Sequence, residues 1–278
     1  MKRPRLRPRL LPDRKRPLLF AHRGCSSLAP ENTMAAFRKA RDLGAPGIEL
    51  DIHLSAASGG GPGALVVSHD GHFGRTAPGS SIPGGRTIEE MSWEEIRQID
   101  VGSFFGPEFR GERAPLLEEV LREYCPGMYI DIELKSGGAG DLESIQILPL
   151  RLAELLRSLG PDIERSVTVS SFNPLSIAAF RRAASRTPIP TAVIWSDGPQ
   201  IPRPLRHGFG RHIARCDYLK PDSREVSASL GRLARREGRP LVPWTVDDPE
   251  EARRVLDLGA EGIITNRPQD FLNLFSGR

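Results

Sequence analysis

The chain has 278 residues, with 39 Lys and Arg against 35 Asp and Glu, so it is long enough to bury one large core and carries a net charge of only +4. No apolar run approaches the length of a membrane span, and the three scattered cysteines (Cys25, Cys125, Cys216) make neither a zinc pattern nor a disulfide framework. A soluble α/β protein of a reducing, cytoplasmic compartment is the expectation, with no nucleic-acid partner and the oligomeric state left open.

Residues 1–17 hold eight Lys or Arg against Asp13, a charge of +7, which leaves −3 for the rest of the chain. Proline interruptions and the lack of an apolar stretch predict a solvated, disordered tail and no signal peptide. The tail is a candidate for weak contact with an anionic membrane surface, and a plain solvated extension is the simpler reading. From Leu18 onward, strand-like and helix-like segments alternate. A first strand, Leu18 to Ala21, stops at His22-Arg23-Gly24. Asn32 to Leu43 has helical spacing, with Thr33 or Asn32 to cap it and Gly44 to end it. The second strand, Gly47 to Ile52, alternates acid with aliphatic, and an extension, Ala64 to Ser68, stops at His69-Asp70.

Residues 71–114 form a long insertion in which Thr87 to Ile99 reads as a helix, with Thr87 and Glu90 placed as a capping box. Its apolar side chains are Met91, Trp93, Ile96, Phe104 and Phe105. A helix at Leu116–Tyr124 and a strand at Met128–Lys135 follow, then a helix at Leu148–Leu159 and a strand at Val167–Phe172. Asn173-Pro174 opens the next helix. Strands are predicted at Thr191–Trp195, Asp217–Lys220, Leu241–Val246 and Gly262–Thr265, with helices at Ser227–Arg236, Pro249–Leu258 and through Phe271. The stretch Ser196–Arg211 gives no assignment. Eight main strands, nearly all followed by helices, predict a (β/α)8 barrel spanning residues 18–278, with the insertion after the second strand. An open doubly wound sheet is the rival, but no Gly-rich dinucleotide fingerprint follows the first strand.

In such a barrel, chemistry sits at the C-terminal ends of the strands. Residues two apart on a strand share a face, so Glu49 and Asp51 point together, as do Glu133 and Lys135. Glu49, Asp51 and Glu133 then form a hard oxygen site suited to Mg2+ or Ca2+. An ion-pair network with Arg23, Lys135 or Lys220 is the alternative use of those acids. His53 and Asp131 share the same parities and could line the lower barrel instead. His22 and His69 end two different strands, as a general acid and base on either side of a substrate would. Arg23 and Lys135 are placed to hold a phosphate. Cys25 reads as a small buried residue, and His207 and His212 as surface residues.

The ordered set His22-Arg23-Gly24, Pro30-Glu31-Asn32-Thr33, Glu49-Leu50-Asp51, His69-Asp70, Glu133-Leu134-Lys135, Ser171-Phe172-Asn173, Trp244-Thr245-Val246 and Gly262-Ile263-Ile264-Thr265-Asn266-Arg267-Pro268 closely resembles the glycerophosphodiester phosphodiesterase family. The resemblance implies metal-dependent hydrolysis of a small-molecule glycerophosphodiester to glycerol 3-phosphate and an alcohol. By it, His22 and His69 are the acid/base pair, Glu49, Asp51 and Glu133 hold the metal, and Arg23 and Lys135 contact the phosphate. Asn32 reaches the site, and Trp244, with Phe104 or Phe105, flanks the glycerol carbons. A lysophospholipase D acting on lipid substrates and a barrel that binds phosphorylated ligands without turnover are the alternatives. The chain departs from the family pattern in the longer loop Ser55–Gly63. It also has Asp247 where Asn is usual and Asn266 where Asp is usual.

Overall fold

The computed structural model describes residues 18–79, 85–136, 142–185, 187, 189–199 and 201–276. The basic tail, residues 1–17, lies outside the described residues. The strands are β1 (Leu18–His22), β2 (Gly47–Leu54), β3 (Leu65–Val67), β4 (Tyr129–Leu134), β5 (Val167–Ser171), β6 (Thr191–Trp195), β7 (Tyr218–Pro221) and β8 (Gly262–Thr265). They form one sheet in the order β7-β6-β5-β4-β2-β1-β8, parallel throughout, with β3 pairing antiparallel on β2. β3 is therefore the returning arm of a hairpin that prolongs β2 and delivers His69 back to the catalytic end.

The predicted strand Leu241–Val246 is an extended segment that makes only isolated bridges, to Leu219 and to Asp222. Pro240 and Pro243 have no N–H to give a regular ladder. The segment still closes the ring. Val242 N and Trp244 N donate to Leu219 O (2.8 Å) and Pro221 O (3.0 Å) of β7, and Ile264 N of β8 donates to Pro243 O (3.0 Å). The architecture is the α/β TIM-barrel class that the alternation implied.

The helices are α1 (Met34–Asp42), α2 (Trp93–Ile96), α3 (Leu117–Tyr124), α4 (Leu142–Leu159), α5 (Pro161–Glu164), α6 (Pro174–Ala183), α7 (Gly210–Ala214), α8 (Ala228–Glu237), α9 (Pro249–Asp257) and α10 (Pro268–Ser276). α4 begins earlier than the spacing indicated and carries Pro149 inside it. The span Thr87–Ile99 is not one helix. A single 3-10 turn (Ile88–Glu90) closes at extended Met91, and Ser92 with Glu95 then forms a second capping box that starts α2. The unassigned stretch after β6 folds as a 3-10 segment (Arg203–Gly208) and then α7. None of the described helices is long and apolar enough to cross a membrane.

Burial follows from the strand pattern. One face of each strand packs outward against the helices, where Ile48, Leu50, Ile52, Ile130, Ile132 and Val169 meet residues such as Phe37, Leu121 and Leu152. A smaller cluster of Leu18, Phe20, Ala192, Tyr218, Val242 and Ile264 is separate from it. The insertion has a core of its own, in which Val66 meets Phe73, Ile88, Met91, Ile96, Ile99 and Val101. That packing fixes the insertion against the β2–β3 hairpin and so beside the strand ends.

Candidate active site

Three buried carboxylates organise the site. Register pairs Asp51 of β2 with Glu133 of β4, and His22 of β1 with Glu49 of β2. Glu49, Asp51 and Glu133 are 1%, 1% and 6% exposed, and each offers one oxygen within 4.8 Å of the others. Three anions cannot share such a space without positive charge. Burial first, then Asp51, pushes the Glu49 carboxyl up to about 8. Asp51 goes the other way. Burial would raise it, but Lys135 and then Arg23 hold it well below the usual carboxylate range.

The cations of the alternative ion-pair reading are all present. Lys135 Nζ lies 2.6 Å from Glu133 Oε1 and 2.9 Å from Asp51 Oδ1, and Arg23 Nε lies 3.3 Å from Asp51 Oδ2. Lys220, fully buried, sits 3.1 Å from Asp131 Oδ2 and 3.8 Å from Glu49 Oε1. Even with these contacts, burial and then Asp51 keep the Glu49 carboxyl above its ordinary value. All three donors are hard oxygens, so the triad fits one hard divalent cation.

The two histidines have different partners. His22 Nδ1 lies 2.6 Å from Asn266 Oδ1, which as a neutral amide oxygen accepts the Nδ1 proton and leaves Nε2 pointing toward Glu49 Oε2 at 3.7 Å. Burial first, then Arg23, lowers its pKa to about 4. His69 Nδ1 instead lies 2.7 Å from the Asp70 carboxylate. Burial first, then Lys135, also lowers His69, while Asp51 opposes the shift.

The loop after β1 supplies the remaining groups through a strained turn. Arg23 and Asn32 both have φ of +56°, and Gly24 has φ of +82°. A Cβ on Gly24 would come within 2.7 Å of the Ala36 backbone, so the loop is pressed onto the start of α1. Thr33 caps α1 by accepting from Ala36 N. Just ahead of that cap, Asn32 Nδ2 donates to Asp51 Oδ2 at 2.8 Å. Asn32 thus orients an acid of the triad.

Trp244 lies at the same end of the barrel. Its Nε1 donates to Lys220 O (3.2 Å), and its ring meets Phe172 edge to face at 5.4 Å. Phe104 meets Phe105 edge to face, and Phe105 meets Phe109 the same way, within the insertion.

Sequence reasoning left other residues undecided. Asp131 lines the barrel interior, accepting from Ser170 Oγ (3.0 Å) and Tyr218 OH (3.1 Å). His53 does not lie low in the barrel. Its Nδ1 meets Glu89 Oε1 (2.8 Å) and its Nε2 meets the His69 carbonyl (3.2 Å), which ties the insertion to the His69 loop. Cys25 is fully buried, and His207 and His212 are exposed, as their surroundings in sequence indicated. Asp247 and Asn266, the two departures from pattern, meet each other. Asn266 Nδ2 donates to Asp247 Oδ2 at 2.6 Å, which presents the amide oxygen to His22. No signal in either residue alone could have revealed that pairing.

The barrel thus gathers a buried acidic triad and two histidines at one end. The glycerophosphoryl diester phosphodiesterase family model matches residues 22–270. A glycerophosphodiester phosphodiesterase of Caldanaerobacter subterraneus is 33% identical over 259 residues, covering 92% of this chain and 97% of that protein. Two solved structures share the fold. A phosphodiesterase of Oleispira antarctica in complex with the product sn-glycerol-3-phosphate has a TM-score of 0.76 at 23% identity, over 93% of this chain and 96% of that one. A glycerophosphodiester phosphodiesterase of Agrobacterium tumefaciens has a TM-score of 0.72 at 24% identity, over 92% and 98%. The chain belongs to the glycerophosphoryl diester phosphodiesterase family and is an enzyme, a phosphoric diester hydrolase.

Proposed function

We propose that this enzyme hydrolyses glycerophosphodiesters to glycerol 3-phosphate and an alcohol, with His22 and His69 as its acid/base pair. The observation that carries the assignment is the contrast between their partners. His22, paired with a neutral amide, keeps a free Nε2 lone pair and is the general base. His69, whose Asp70 carboxylate acts against the lowering by burial and Lys135, is the general acid. The Caldanaerobacter relative, named for the same activity, supports the substrate class. So does the glycerol 3-phosphate held by the Oleispira protein.

In the first step a glycerol hydroxyl attacks phosphorus and gives its proton to His22 Nε2. The phosphorus–oxygen bond to the alcohol breaks, and the leaving oxygen takes a proton from His69. Water then opens the cyclic phosphate with the two roles exchanged, which restores both histidines. Arg23 and Lys135 hold the non-bridging phosphate oxygens and Asn32 keeps Asp51 in place, while Trp244 flanks the glycerol carbons. Glu49, Asp51 and Glu133 would hold Mg2+ or Ca2+, which lowers the pKa of the attacking hydroxyl and offsets charge on phosphorus.

The test is release of glycerol 3-phosphate from glycerophosphocholine, compared with a lysophospholipid, after chelation and after return of each metal. Metal-dependent release that H22A and H69A each reduce by about 10²- to 10⁴-fold fits the proposal. Full turnover by H22A, or preference for the lysophospholipid, would contradict it.

A further inference from the structure

Arg75 belongs to the insertion and has been given no role above. Its guanidinium makes three well-formed contacts with two acids. Nε donates to Asp70 Oδ2 at 2.8 Å, while Nη1 and Nη2 donate to Glu31 Oε2 at 2.9 Å and Oε1 at 2.7 Å. Each acid in turn holds a residue assigned to the chemistry. Asp70 Oδ1 meets His69 Nδ1 at 2.7 Å, and Glu31 Oε1 accepts from Arg23 Nη1 at 3.0 Å. One planar fork therefore joins the partner of His69, on the loop after β3, to the partner of Arg23, on the loop after β1.

An exposed ion pair contributes little, but this one is bidentate and part of a network, and Glu31 and Asp70 have side chains only 17% and 23% exposed. The five N–H donors of arginine lie in one rigid plane, so the angle between the two carboxylates is set by the side chain itself; a lysine ammonium could not set it.

We propose that Arg75 is a positioning residue that fixes His69 and Arg23 relative to each other, so that proton donation and phosphate contact occur in one geometry. It touches neither substrate nor the reacting atoms. The proposal rests on the assignments of His69 and Arg23 made above. It gives the insertion a part in the site beyond covering it.

The test uses the full chain, saturating metal and glycerophosphocholine. R75A should lose about 10- to 100-fold in kcat/KM, the usual effect of removing an outer orienting contact. R122A, which breaks only an exposed pair with Glu118 on α3, should lose nothing. R75K keeps the charge without the fork and should remain impaired. Methylguanidinium added to R75A should recover several-fold activity and methylammonium should not. The R75A loss should shrink when E31Q or D70N is already present, because the same link is already cut. H69A and R23A in the same panel separate the two levels of the argument. If they are inactive while R75A matches wild type, or if R75A is impaired but neither rescued nor coupled to E31Q and D70N, the Arg75 role is wrong. If H69A and R23A retain full turnover, the site assignment beneath it falls, and the Arg75 role with it.

Discussion

At the scale of single residues, the site is governed by the burial of its carboxylates. Glu49 keeps its proton to about 8 because burial, and then Asp51, disfavour its anion. A hard cation bound by Glu49, Asp51 and Glu133 must displace that proton. Metal affinity should therefore rise with pH up to about 8, and calorimetry in buffers of different ionisation enthalpy should detect proton release at neutral pH. E49Q should bind metal more weakly and without proton release. Affinity independent of pH would remove Glu49 from the ligand set.

His22 makes a separable prediction about stability. Its folded pKa, near 4, lies below the ordinary 6.5, so the unfolded chain binds a proton that the folded chain refuses. Its contribution to stability is complete above 6.5 and is lost as pH falls towards 4. Thermal melts should show acid destabilisation over that window, less steep in H22Q; parallel curves for the two proteins would refute the cause.

Motif spacing placed His22, His69, Glu49, Asp51, Glu133, Arg23 and Lys135 at strand ends, because strand parity and strand termini are local properties. His53, Arg75 and the Asp247–Asn266 pair were not legible. Their partners Glu89, Glu31 and His22 lie far away in the chain, and only the closed fold brings them together.

At the scale of elements, the start of α1 couples stability to the site. Thr33, fully buried, accepts from Ala36 N and donates to Pro30 O at 2.6 Å. T33A should cost about 1 kcal/mol of stability, as loss of an N-cap does. It should also lower activity, because Asn32, next to the cap, orients Asp51. Denaturant melts alongside kcat would show both, and a stability loss with unchanged kcat would uncouple the cap from Asp51.

Helix spacing is legible for α1, α8 and α9, whose N-cap side chains accept from the first turn, and for α3, whose N-cap is Leu116. α1, α3, α8 and α9 start and stop within a residue or two of expectation. The failures have separate local causes. Within Thr87–Ile99 two successive capping boxes compete, so one amphipathic pattern becomes two short turns. In Leu241–Val246 the proline removes a ladder donor, while the neighbouring strands still hold the segment in place.

At the scale of the whole molecule, the barrel depends on close approach between the later units. Gly231 of α8 sits against Leu258, just beyond α9, where a Cβ would come within 1.9 Å of the carbonyl oxygen. G231A should destabilise the fold by about 1–3 kcal/mol, the usual cost of overpacking. Its turnover per folded molecule should be unchanged, because this contact is remote from the strand-end residues. Urea unfolding with activity normalised to the folded fraction would check both.

The alternation of strands and helices was sufficient for the fold class because each βα unit is written locally. The insertion was recognisable by length alone, and its separate core around Val66 and Ile88 was not, since those contacts cross the chain. The most direct measurement is anomalous diffraction from crystals grown with Mn2+ in place of the native cation. The account predicts one ion with oxygens of Glu49, Asp51 and Glu133 at about 2.0–2.6 Å. A fully active, metal-dependent crystal with no ion among those oxygens, and Lys135 still bridging Asp51 and Glu133, would contradict it.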